Sequence, residues 1–214
     1  MIGLRNVEEK SSKRICCIFG AGEYYGDTVE IPDAELIIAA DAGIAFLENN
    51  GIVPDIAVGD FDSFHNAVNA KQTLRLPVEK DDTDTLAAVR EGLKRGCNTF
   101  YIYGGTGGRT AHTLANIQTL AFINERGAQA YLIGKNEIFT VIDKEISFDE
   151  KMRGYISVFA MGTARGVNIS GLKYELSNAE LTDSFPLGVS NEFIGKKSSI
   201  SVNNGKLLIV YNQN

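Results

Sequence analysis

Two short segments, Gly59-Asp60-Phe61-Asp62-Ser63 and Lys80-Asp81-Asp82-Thr83-Asp84, bring carboxylates to points where apolar runs give way to polar residues. Strands end at such points, and loops at strand ends are where an α/β sheet keeps its chemistry. In the first segment the acids alternate with Phe61. An extended backbone would turn Asp60 and Asp62 to one side and Phe61 to the other, where it can anchor in the core. Carboxylates gathered this closely repel one another unless a cation neutralises them, and hard oxygen ligands favour Mg²⁺ shared with substrate phosphates. Either segment alone is equally well explained as a solvated, turn-forming loop. Both together, with a glycine-rich segment further along, favour a metal-phosphate site.

That glycine-rich segment is Gly104-Gly105-Thr106-Gly107-Gly108-Arg109, between an expected strand and an expected helix. Closely spaced glycines let backbone N–H groups approach a polyphosphate, the helix N-terminus adds positive potential, and Arg109 can bind phosphate oxygens bidentately. It is not a Walker A loop, which ends in G-K-[ST], nor a G-x-G-x-x-G fingerprint at a first βα turn. Tight turning or packing explains many such segments equally well. His112 and Asn116, four apart, share one face of the following helix and could both look into a cleft; a capping or core role suits His112 as well. Asp41, in Asp41-Ala42-Gly43, is either a helix N-cap or a ligand-facing acid. Gly20-Ala21-Gly22 permits close backbone approach after the first strand. Two histidines in the whole chain support neither a His-rich metal site nor a Ser-His-Asp triad.

The elements that must position these groups alternate. Strands are expected at Ile15 to Phe19, Leu36 to Ala40, Ile56 to Val58, Thr99 to Tyr103 and Ala130 to Ile133, and helices at Ala42 to Asn49, Thr83 to Arg95 and His112 to Arg126. Such alternation implies a mainly parallel sheet with helices on its faces. The second helix is well marked: Thr83 caps it, Leu86, Val89 and Leu93 form its apolar stripe, and Gly96 stops it. Its N-terminus falls on the second acidic segment and would stabilise those acids in any case. Beyond Gly134 the segments Phe139 to Ile142, Tyr155 to Ala160, Val167 to Ser170, Leu172 to Leu176, Ser199 to Val202 and Leu207 to Tyr211 are short and separated by turn signals, as in an all-β sandwich or barrel. Residues 1–134 therefore form an expected α/β unit and 135–214 an expected β unit. In the latter, Ser190 and Asn191 are equally well explained by a simple turn.

With 214 residues, 44% of them hydrophobic, the chain can bury a substantial core. A net charge of −6 with no basic stripe argues against a nucleic-acid partner. No apolar stretch reaches the length of a membrane span, and the charged N-terminus lacks a signal-peptide pattern, so a cytoplasmic protein is expected. Cys16, Cys17 and Cys97 are an odd set without C-x-x-C spacing, which fits reduced thiols.

Taken in order, A-D-A-G at Asp41, P-D at Asp55, G-D-F-D-S at Asp60, K-D-D-T-D at Asp84, G-G-R-x-x-H-T-L-A-N at Asn116, G-L-K-Y at Tyr174 and G-V-S-N-E at Glu192 resemble the thiamine pyrophosphokinase family from about Gly20 to Phe193. The resemblance implies an N-terminal α/β ATP-binding catalytic domain, a C-terminal thiamine-binding β-sandwich, and a homodimer with thiamine near the subunit interface. It implies transfer of a pyrophosphoryl group from ATP to the thiamine hydroxyl, giving thiamine diphosphate and AMP. Carried over on it are Mg²⁺ ligands Asp60, Asp62 and Asp84, catalytic residues Asp60, Asp62, Asp81, Asp84 and Arg109, and thiamine contacts Tyr174, Ser190 and Asn191. The nucleotide contacts it implies are Gly22, Asp41, Ser63, Gly104, Gly105, Thr106, Gly107, Gly108, Arg109, His112 and Asn116. The family pattern G-G-R-x-D-H meets Ala111 here in place of its Asp. Two other readings stay open on the residues: a non-catalytic thiamine or nucleotide sensor, and a metal-dependent phosphohydrolase that activates water with the same acids.

Overall fold

Strand β1 (Ile15–Phe19) and strand β2 (Leu36–Ala40) are uninterrupted apolar runs because they are covered on both faces. In the computed structural model, which describes residues 13–26, 29, 31–61, 69–77 and 82–212, they lie inside a ten-stranded sheet. The chain continues through α1 (Gly43–Asn49), β3 (Ile56–Gly59), β4 (Gln72–Arg75), α2 (Asp84–Lys94), β5 (Thr99–Tyr103), α3 (Thr110–Asn124) and β6 (Gln129–Ile133). These six strands run parallel in the order β6-β5-β1-β2-β3-β4.

Successive side chains of β1 serve opposite layers, as the pleat requires. Cys16 and Ile18 join Ile38, Val58, Phe100 and Ile102 beneath α2 and α3, with Val89, Leu120 and Ile123 supplied by the helices. Cys17 and Phe19 join Ala39 and Ala57 on the other face, where α1 contributes Ile44 and Leu47. Full burial of a side chain such as Ile38 or Phe100 contributes about 1.5–3 kcal/mol. All three cysteines are buried free thiols, as small core residues.

Gly134 marks a change of strand direction within one sheet. The Gly134 N–H donates to Glu137 O at 2.8 Å, and β7 (Glu137–Ile142) returns antiparallel beside β6. The remaining strands are β8 (Glu145–Phe148), β9 (Tyr155–Ala160), β10 (Thr163–Ser170), β11 (Leu176–Thr182), β12 (Gly188–Glu192), β13 (Ser198–Ser201) and β14 (Leu207–Asn212). Strands β7, β14, β9 and β12 extend the large sheet, and β11-β10-β13-β8 form a second, four-stranded sheet. Phe148, Val167, Ile169 and Ile200 of the small sheet share a buried cluster with Ile156, Val158, Leu207 and Ile209 of the large one. The molecule is thus a mixed α/β protein with a large mixed sheet and three helices among the described residues.

Several expectations are corrected. Leu172 to Leu176 is not a strand: Leu172 makes only an isolated bridge to Phe193, and β11 starts at Leu176. Ser190 and Asn191 belong to the edge strand β12, not to a simple turn; a register shift between Gly188 and Asn191 and a Ser190 φ of +60° give the segment its turn-like composition. Phe61 is buried as expected, but its φ of +56° breaks the extended geometry that would align Asp60 with Asp62.

Candidate active site

The parallel strands leave β1 in two directions, toward β2 on one side and β5 on the other. A sheet whose order reverses there opens a crevice beyond the strands' C-terminal ends. A cavity of about 430 Å³ occupies that place. Its wall combines Ala21 and Gly22 after β1, Ala40 and Asp41 at the end of β2, Thr83, Asp84 and Thr85 at the start of α2, and the turn between β5 and α3 with His112 and Asn116.

The turns after β1 and β5 are fastened to each other. Gly20 N donates to Tyr103 O at 2.8 Å, Gly22 N to Gly104 O at 2.7 Å, and Glu23 N to Thr106 O at 3.0 Å. A Cβ at Gly22 would lie 2.5 Å from Gly104 O, so the approach admits only glycine. From α3, the buried Asn116 donates through Nδ2 to Gly105 O at 2.7 Å. The shared face of His112 and Asn116 is therefore real, but their tasks differ: Asn116 holds the turn, and exposed His112 stands at the cavity rim. Gly107 and Gly108 both have positive φ, which brings the chain around to Arg109, the exposed N-cap of α3. The first turn of α3 has neither a side-chain cap nor an acidic residue, so its N-terminal potential faces outward. Ala111 lies exposed in that turn and is not part of the cavity wall.

Two acids, Asp41 and Asp84, line the cavity, and Asp60 is not part of its wall. Asp41 does not cap α1, whose N-cap is Ala42 without a side-chain bond; it lines the cavity with φ +51°. Its N–H donates to Val58 O at 2.8 Å, tying it to the end of β3, where Asp60 follows. Asp84 is the first residue of α2, and Thr83 caps that helix by accepting from Leu86 N at 3.1 Å. Asp82 pairs with Arg90 at 2.7 Å on the surface of α2 and is not part of the wall. Asp62, Ser63 and Asp81 lie outside the described residues. Among the described residues no three His, Cys, Asp or Glu side chains form a ready metal cage. The donor set suits Mg²⁺, which takes one or two carboxylates and completes its shell with phosphate oxygens and water.

Asp55, in the P-D motif, braces the sheet. Its Oδ2 accepts from Ile37 N and its Oδ1 from Lys71 Nζ, both at 2.8 Å. Partial burial pushes this carboxyl up, but the Lys71 ammonium and the Ile37 N–H outweigh it and hold the carboxyl below its ordinary value.

Tyr174, Ser190 and Asn191 cluster on the antiparallel half, and none lines the 430 Å³ cavity. Asn191, 4% exposed, accepts from Tyr174 N and Glu192 N at 2.9 Å and donates to Tyr174 O at 2.7 Å. It clamps the loop that presents Tyr174, which is 60% exposed. Sequence reasoning missed Thr83 and Thr85 as wall residues and Glu23, whose Oε1 accepts from Gly108 N at 2.9 Å. It also missed a second cavity of about 600 Å³ lined by Tyr24, Tyr25, Tyr101, Tyr103 and Tyr211, which shares Gly104 with the first. The clustered tyrosines at Tyr24, Tyr25, Tyr101 and Tyr103 were the available signal.

Residues 29–132 match the family described as "Thiamin pyrophosphokinase, catalytic domain", and residues 143–207 match "Thiamin pyrophosphokinase, vitamin B1 binding domain". The chain is 32% identical over 185 residues to thiamine pyrophosphokinase of Bacillus subtilis, covering 82% of this chain and 86% of that one. The crystal structure of a Bacillus subtilis thiamine pyrophosphokinase has a TM-score of 0.83 at 28% identity, covering 94% of this chain and all of that one (100%). A thiamin pyrophosphokinase family protein from Enterococcus faecalis shares the fold, with a TM-score of 0.80 at 24% identity over 94% of this chain and 100% of that one.

Proposed function

Because the chain belongs to the thiamin pyrophosphokinase family, we propose that the cavity beyond the C-terminal ends of β1 and β5 is where it transfers a pyrophosphoryl group from ATP to thiamine. The observation that carries the siting is the convergence of Gly104, Gly105, Gly107, Gly108, Arg109, Asp41 and Asp84 on one cavity of about 430 Å³. Arg109 and the turn hold the polyphosphate, and Asp60, Asp62 and Asp84 serve as the carboxylates for Mg²⁺. When bound, Mg²⁺ neutralises charge on the phosphate oxygens as it develops. The thiamine hydroxyl oxygen bonds to the β-phosphorus, the bond from that phosphorus to the α-bridging oxygen breaks, and AMP leaves with that oxygen. Asp81 or Asp84 takes the hydroxyl proton. The protein's share is positioning and charge stabilisation.

In this reading, residues 1–134 are the ATP-binding catalytic domain and 135–214 a thiamine-binding β-sandwich made of the small sheet and the antiparallel strands facing it. Thiamine contacts Tyr174, Ser190 and Asn191 from one copy and meets the acidic loops of a second copy. Support for a homodimer comes from exposed Phe185 and Leu187 just ahead of the edge strand β12 and exposed Val189 within it. Buried free thiols support a cytoplasmic setting, and no helix of the described residues is long and apolar enough to cross a membrane. Replacing Asp60 or Asp84 by Asn tests the siting. Each change should lower the thiamine-dependent rate on the order of a thousandfold, since an amide cannot supply the carboxylate's charge. Near wild-type turnover of either variant at saturating Mg²⁺ would remove that residue from the site.

A further inference from the structure

We propose that Glu23 is a stand-in anion: its carboxylate occupies the Gly108 N–H of the glycine-rich turn and is displaced when polyphosphate binds there. The inference rests on the reading that the turn takes the phosphates of ATP. Glu23 Oε1 accepts from Gly108 N at 2.9 Å, next to Arg109 on the cavity wall. The carboxylate also lies against Gly107, where an added Cβ would meet Glu23 Cδ at 2.5 Å, so the contact depends on the absence of a side chain at that position.

Two features make this a replaceable contact. The backbone of Glu23 is fixed independently by its N–H bond to Thr106 O at 3.0 Å, so the side chain can leave while residue 23 stays in place. Glu23 is exposed and also lines the neighbouring 600 Å³ cavity, so a displaced carboxylate stays in solvent and pays little desolvation. The first turn of α3 supplies no acid of its own, and Glu23 brings a carboxylate to this turn from outside the helix. An incoming phosphate oxygen takes over an N–H that already points at an anion, and it must overcome one unit of like charge at contact distance. Glu23 is therefore a positioning residue that keeps the empty turn in its binding shape at a cost in affinity.

Glu23→Gln separates the charge from the shape, because the amide oxygen still accepts from Gly108 N. Titration calorimetry with inorganic tripolyphosphate and with ATP·Mg²⁺ at low salt should give dissociation constants about three- to tenfold lower for Glu23→Gln than for wild type, the gap narrowing as salt rises. Glu23→Ala, which loses the acceptor as well, should gain less. Thermal unfolding of each variant reports whether the fold persists. Equal or weaker tripolyphosphate binding by a folded Glu23→Gln variant, or no binding by either protein, overturns the inference even if thiamine-dependent AMP release is intact. Tighter binding by Glu23→Gln in a protein without thiamine-dependent AMP release upholds the role of Glu23 and overturns the proposed function.

Discussion

Arg109 ends the glycine-rich turn and caps α3 without a side-chain bond, so its guanidinium is added to a helix N-terminus that no acid in the first turn offsets. Arg109 lines the same cavity as Asp41 and Asp84. Arg109→Lys keeps the charge and loses the planar two-point contact, so steady-state assays should show KM for ATP rising and kcat/KM falling about tenfold or more. Full turnover and ATP affinity in the Lys variant would show that bidentate phosphate binding is the wrong role. At this scale the sequence supplies residue type, as for Arg109, which the fold brings to the cavity wall, and it misleads where backbone conformation decides the geometry. Nothing in G-D-F-D-S announces a positive φ at Phe61, and nothing in A-D-A-G announces one at Asp41. Non-glycine residues at positive φ are uncommon; one of these two is a cavity-lining acid and the other follows Asp60.

Among the elements, those read correctly carry strong local signals. The buried strands β1, β2 and β5 are continuous apolar runs, and α2 combines a Thr83 cap, an apolar stripe and a stop at Gly96 with φ +82°. Strand β4, Gln-Thr-Leu-Arg, went unread because an edge strand exposed along most of its length has no apolar pattern to show. Strands β11 and β12 went unread for a related reason: both lie at sheet edges and carry bulges or shifts in register. Asp55, just ahead of β3, ties that strand to β2 through Ile37 N and to Lys71 just ahead of β4. Lys71 is 70% exposed, so the bond from Ile37 N should carry most of the effect. Because the folded carboxyl is held below its ordinary value, its stabilisation is present above the unfolded pKa, about 3.9, and disappears as pH falls through the folded value. Asp55→Asn should therefore cost about 1–3 kcal/mol in urea unfolding at pH 7, with the difference shrinking near pH 3. An unchanged difference between the two pH values would show that the charge of Asp55 does not brace the sheet.

For the whole molecule, the change of texture after Gly134 was visible in the sequence, whereas the continuity of the sheet across it was not. Composition records the switch from helix-covered parallel strands to short antiparallel ones; it does not record that β7 pairs with β6. That pairing joins the antiparallel strands to the same sheet that carries the cavity, so both candidate substrate regions share one backbone frame. In the proposed reaction ATP is cleaved at the β-phosphorus only when the thiamine hydroxyl is there to receive it. The direct measurement is ³¹P NMR of the protein with ATP and Mg²⁺, with and without thiamine. AMP and thiamine diphosphate should appear in equal amounts and only in the sample containing thiamine. AMP released without thiamine, or ADP as the nucleotide product, would contradict it.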